Sequence, residues 1–144
     1  MTLVEFLGQE EGVKAFIADG ALLIDDEVAR KKGMRGMALK AGFKAVKAVK
    51  PGVVSELLEK MLPGFAPAVD PHFAKGREHG DLRAYFTEHA EEIAQSMLGV
   101  TDARAERAKH RGLLKVYKSL RPMALKHTME ALPGVADLLV EHVP

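Results

Sequence analysis

KAGFKAVKAVKP, residues 40–51, sets a cation at Lys40, Lys44, Lys47 and Lys50 and then a proline. On a helical wheel the four ammonium groups share an arc of roughly 120°, while Ala38, Gly42, Ala45, Val46 and Val49 gather on the far side. The stretch therefore reads as an amphipathic helix with one wet and one packed side, stopped by Pro51. The packed side is unusually small, which predicts a closely approaching neighbour and a badly tolerated Gly42→Leu. RGLLKVYKSLRP, residues 111–122, repeats the grammar with Arg111, Lys115, Lys118, Arg121 and Pro122.

The chain on either side of these stretches is helical in pattern, with few alternating runs of β-branched and aromatic residues. Thr2 with Glu5 forms a capping box for a first helix that Gly8 can end. A longer helix runs over about 12–32, bent or broken at Gly20, and a third follows Gly33 and Gly36. After Pro51 a short helix through Val54, Leu57, Leu58, Met61 and Leu62 breaks at Pro63-Gly64. Pro67, Pro71, Gly76 and Gly80 mark an irregular centre. Asp81 is the expected N-cap of a helix over 82–98 and Thr101 that of the next, with further stops before Pro122 and Pro133 and a last helix over 134–142. The expected architecture is an all-α bundle of about seven to nine helices.

The likeness between the two basic stretches continues downstream. LPGFAPAVDPHF (62–73) and LPGVADLLVEHV (132–143) share LPG, an apolar residue, an alanine and then a histidine, so that His72 matches His142. Ile17–Val28 resembles Ile93–Arg104 in hydrophobic spacing. These matches predict a single domain, 1–144, duplicated internally as halves of about 1–75 and 76–144 around a pseudo-two-fold axis.

Bulk properties narrow the function classes. Apolar residues at 47% and charged residues at 28% predict an ordered globular chain. The absence of cysteine excludes disulfides, Cys-ligated metals and a cysteine nucleophile. MTLVEFLGQEEG lacks the form of a secretory signal, and no apolar run reaches about 18 residues, so a cytoplasmic protein without a transmembrane segment is expected. The net charge of +1 hides segregation: residues 30–50 carry eight cations and no acid, and 104–126 carry eight cations and one acid, leaving −14 on the rest.

DDEVARKKGMRGMALKAGFKAVKAVKPG (25–52), VTDARAERAK (100–109) and RPMALKHTMEALPG (121–134) resemble a family of small, uncharacterised bacterial helical proteins whose members carry similar KPG, VTDARAER and ALPG segments. The resemblance covers nearly the whole chain. It implies an all-helical, bacterial, cytoplasmic protein, and no activity, cofactor or site residue comes with it.

Chemical signatures are sparse. There is no phosphate-binding glycine loop, and GMRG at 33–36 follows no strand. His89 with Glu92 and His127 with Glu130 read as surface pairs; His72 and His142 either meet across the pseudo-axis around a metal or each sit in a helix's last turn, the second being the expectation. Ser55, Ser96 and Ser119 lie in helical patterns without a glycine-flanked elbow. No cofactor and no metal are expected. The leading expectation is a non-enzymatic interaction or scaffold protein with a protein partner or a second copy of itself. The alternative is nucleic-acid or other polyanion binding through Lys40, Lys44, Lys47, Lys50, Arg111, Lys115, Lys118 and Arg121, although only Phe43 and Tyr117 are near to stack a base. A lipid surface ranks below it, because the apolar side is alanine-rich. A third reading is small-ligand binding, or an enzyme, with a site between the halves.

Overall fold

The computed structural model describes residues 1–144, the side chain of Leu113 aside. Among the described residues it contains seven α-helices and no strand: α1 (Leu3–Phe6), α2 (Glu10–Ala29), α3 (Gly33–Val49), α4 (Val53–His79), α5 (Leu82–Glu88), α6 (Ala90–Glu106) and α7 (Arg111–His142). Several local signals act as read from the sequence. Thr2 caps α1, its hydroxyl accepting from the Glu5 N–H at 3.0 Å, and Asp81 caps α5, accepting from the Ala84 N–H at 3.0 Å. Gly80 closes α4 at φ 92°, a left-handed cap that favours glycine. Asp70 of α4 also takes the free amides of α1, from Leu3 at 2.6 Å and Val4 at 3.2 Å.

The prolines depart from expectation. Pro63 does not break the chain and the stretch to Gly80 is not irregular: α4 runs unbroken for 27 residues with Pro63, Pro67 and Pro71 inside it. A proline four residues after another repeatedly frees a carbonyl on the same side of the helix. All three prolines are exposed, and the freed carbonyls belong to Glu59, Pro63 and Pro67, themselves exposed, while Ala66, Val69 and Phe73 on the adjoining side fill the core. α7 likewise continues through Pro122 and Pro133 for 32 residues. The helix expected over 82–98 is instead divided at His89, at φ −107° and ψ 25°. Thr101 caps nothing: it lies inside α6, and its hydroxyl sits 2.7 Å from that of Tyr117 on α7. Gly20 leaves α2 unbroken; a Cβ there would lie 3.3 Å from Leu58 Cδ1, so this glycine sets the approach of α2 to α4.

The core is drawn unevenly from these helices. Its buried apolar side chains come from α1, α4, α5, α6, α7 and Val143, with Phe86, Ile93 and Leu132 the largest that are fully enclosed. α2 and α3 contribute no buried side chain, only the buried glycines Gly20 and Gly36. They form a hairpin laid over α4 and α7, joined by residues 30–32 and turned at Gly33 with φ 77°.

Within that hairpin the reading of α3 inverts. The side of Ala38, Gly42, Ala45 and Val49 is exposed, and a Cβ at Gly42 would meet nothing within 4 Å, so Gly42→Leu has room. The inward side is Gly36, Leu39 and Phe43, with Lys47 beside them, half-buried and 2.8 Å from Asp25. Small residues do not mark the packed side of α3, because the larger side chains at Leu39 and Phe43 offer more apolar area to bury.

Candidate functional site

Because the α2–α3 hairpin does not close down on the core, a cavity of about 520 Å³ remains between them. α2 supplies Phe16, Leu23, Ile24 and Val28; α3 supplies Leu39 and Phe43; α4 supplies Leu58, Leu62, Phe65 and Val69; α7 supplies Ala131, Val135 and Leu138. Its size falls in the range of sites for small organic molecules, and such a lining rewards an aliphatic or aromatic guest. The outer wall at Leu39 and Phe43 is one helix thick.

Polar groups gather at one end. Glu27, Lys31, His127 and Thr128 border the cavity. The Lys31 ammonium, largely buried, pairs with Glu130 and lies 3.8 Å from Glu27. Its hydrogen bond to Glu130 holds that carboxyl below the usual range, against the opposing effect of burial. His127 Nδ1 is buried without a hydrogen bond and lies 3.8 Å from Glu130 Oε2, too far for one. An unmet buried ring nitrogen is rare in a folded chain and marks this end of the cavity as polar.

The predicted basic residues divide. Lys47 pairs with Asp25, and Lys50 with Glu56 at 2.7 Å. Arg121 grips Asp102 through Nε at 2.8 Å and Nη2 at 3.0 Å, and Tyr117 donates to the same carboxylate. The guanidinium, then the phenol, hold Asp102 below the ordinary carboxylate range. Lys40 and Lys44 on α3 and Arg111, Lys115 and Lys118 on α7 are exposed, with no ion pair among the described residues. The two stretches are held differently: α3 rests on α2 and α4, while the start of α7 is tied to α6 through Tyr117 and Arg121.

The matched histidines also part. His142 occupies the last turn of α7, as expected, with Nε2 2.7 Å from Asp19 Oδ2. Glu141 brings a third donor atom, all three within 4.8 Å of one another, so a divalent cation could be held there if His142 gave up its contact with Asp19. His72 is not in a last turn. It is buried in α4, with Nε2 2.9 Å from Ser96 Oγ, and burial pushes its imidazole pKa down. This Ser–His contact, unseen from spacing alone, is poorly suited to acyl transfer. The Ser96 hydroxyl donates to the Glu92 carbonyl at 3.1 Å, and in mid-helix the neighbouring amides are already bonded, leaving no oxyanion site.

Neither the cavity nor its end group had a sequence signal of its own, since Leu39 and Phe43 look like any helix spacing. Glu27 and Lys31, four residues apart, were the available hint. Among family descriptions, "Family of unknown function (DUF6918)" matches residues 3–143. No curated protein and no solved structure matches the chain.

Proposed function

The chain belongs to this family of unknown function, and on that premise we propose that it is a non-enzymatic binding protein for a small, mainly apolar molecule with one polar end. The observation that carries the reading is the cavity of about 520 Å³ between the α2–α3 hairpin and the core. The polar groups of Glu27, Lys31, His127 and Thr128, which border one end of the cavity, supply the hydrogen-bonding positions for the polar end. The α2–α3 hairpin is the part that moves to admit the guest, since it shares least in the core.

The same reading includes an internal duplication, supported by reciprocal contacts. Gly64 of the first LPG lies against α6, where a Cβ would come 2.7 Å from Val100; Gly134 of the second lies against α2, where a Cβ would come 2.6 Å from Leu23. His72 then reaches α6 at Ser96, and His142 reaches α2 at Asp19. α4 on α6 is thus mirrored by α7 on α2, with the cavity alongside both long helices.

The test is titration with a series of unbranched fatty alcohols, read by calorimetry. Saturable binding of one molecule per chain is expected, tightening by about 0.8 kcal/mol per methylene until the cavity is full. Ala131→Phe, which places a ring in part of the cavity, is expected to weaken binding and to shift the best-fitting alcohol to a shorter chain without loss of fold. Absence of saturable binding, or binding indifferent to Ala131→Phe, overturns the proposal.

A further inference from the structure

α3 is apolar on two opposite sides. Leu39 and Phe43 face the cavity. On the outer side Met34, Met37, Ala41, Ala45, Ala48 and Val49 fall within an arc of roughly 120° and are all exposed, Met34 by 89% and Val49 by 88%. A helix with two apolar sides needs two apolar neighbours, and the bundle supplies only one. Cations stand on both edges of the outer strip: Lys40 and Lys44 on one, Arg35 on the other. No acid occurs anywhere in residues 30–50.

We propose that the outer side of α3 docks on an anionic lipid surface, with the Met, Ala and Val strip entering the boundary of the acyl region and Lys40, Lys44 and Arg35 meeting the headgroups. The arrangement decides between occupants. A second copy set face to face would oppose these cations to their own equivalents, with no carboxylate in either helix to pair with them. A nucleic-acid backbone would meet the apolar strip first, because the cations lie at its edges. A lipid interface accepts both at their own depths: apolar side chains below, long basic ones reaching up to the phosphates. Two methionines and a valine among alanines suit shallow, reversible association that depends on the cations. The same helix closes the cavity, so a lipid-bound α3 stands at its entrance. The inference rests on the outer side alone and is independent of what the cavity holds.

The test is co-sedimentation with vesicles of phosphatidylcholine alone or mixed with phosphatidylserine, at low and moderate salt. The wild type is expected to pellet with the mixed vesicles at low salt and to be released by salt or by omission of phosphatidylserine. Lys40→Gln with Lys44→Gln should weaken binding roughly 30-fold, about fivefold for each cation. Met34→Ser with Val49→Ser should weaken it by roughly tenfold. All four positions are exposed, so the variants keep the fold, and Ala131→Phe should bind vesicles as the wild type does. Failure to pellet with mixed vesicles overturns the proposal. So does binding that ignores the Met34/Val49 pair, which would mark a purely electrostatic surface, or tighter capture of a DNA duplex through the same lysines.

Discussion

The stretches 40–51 and 111–122 carry the same order of cations and the same closing proline, yet the first ends a helix and the second begins the longest one in the molecule. After Pro51 comes Gly52, and the chain turns. After Pro122 comes Met-Ala-Leu, good helix formers whose continuation carries Leu132, Ala136 and Leu139 into the core. The cost of one lost backbone bond at an exposed proline is small beside that burial. Their fourth cations differ in the same sense: Lys50 makes an exposed pair with Glu56, and Arg121 a two-pronged grip on Asp102 reinforced by Tyr117. A repeated pattern specifies a helix, and its surroundings decide whether that helix becomes a pillar or a cover.

The contrast can be broken most directly by truncation. Leu132→Ala in α7 should cost about 2–5 kcal/mol, and Leu39→Ala in α3 about 1 kcal/mol, because Leu132 is fully enclosed and Leu39 borders a void that already lacks contacts. Denaturant midpoints with unchanged slopes would measure both, and equal losses would make α3 a pillar after all.

Removing the anchoring carboxylates comes next. Asp102→Ala should cost about 1–3 kcal/mol at neutral pH through the charged hydrogen bonds it loses, while Asp25→Ala, partner of Lys47, should stay within about 1 kcal/mol. Asp102 has its pKa lowered by Arg121 and then Tyr117, so its contribution is complete above the ordinary carboxylate range and fades as pH falls through the folded-state value. The gap between Asp102→Ala and wild type should therefore close on acidification, and a gap independent of pH would refute the ion-pair account.

The smallest effects should have opposite signs. Pro122→Ala restores a helical N–H and is expected to stabilise by about 1 kcal/mol, whereas Pro51→Ala relaxes a turn and is expected to destabilise by about 0.5–1 kcal/mol. Thermal midpoints moving in the same direction for both would show that the two prolines are equivalent.

Much of the secondary structure was readable locally. Capping by Thr2 and Asp81, the turn at Gly33 and the end of α3 at Pro51 depend on groups within a few residues of one another, so near neighbours suffice to predict them. Pro63, Pro67, Pro71, Pro122 and Pro133 misled, because tolerance of a proline depends on which way the freed carbonyl faces and on how much the continuing helix buries. The orientation of α3 misled for a related reason: periodicity shows that a helix has sides, but the area a partner can cover selects which side turns inward. The cavity had no local cause at all. It exists because α2 and α3 come to rest above a core already filled by Phe86, Ile93 and Leu132, and that spacing is set by contacts between residues distant in the chain.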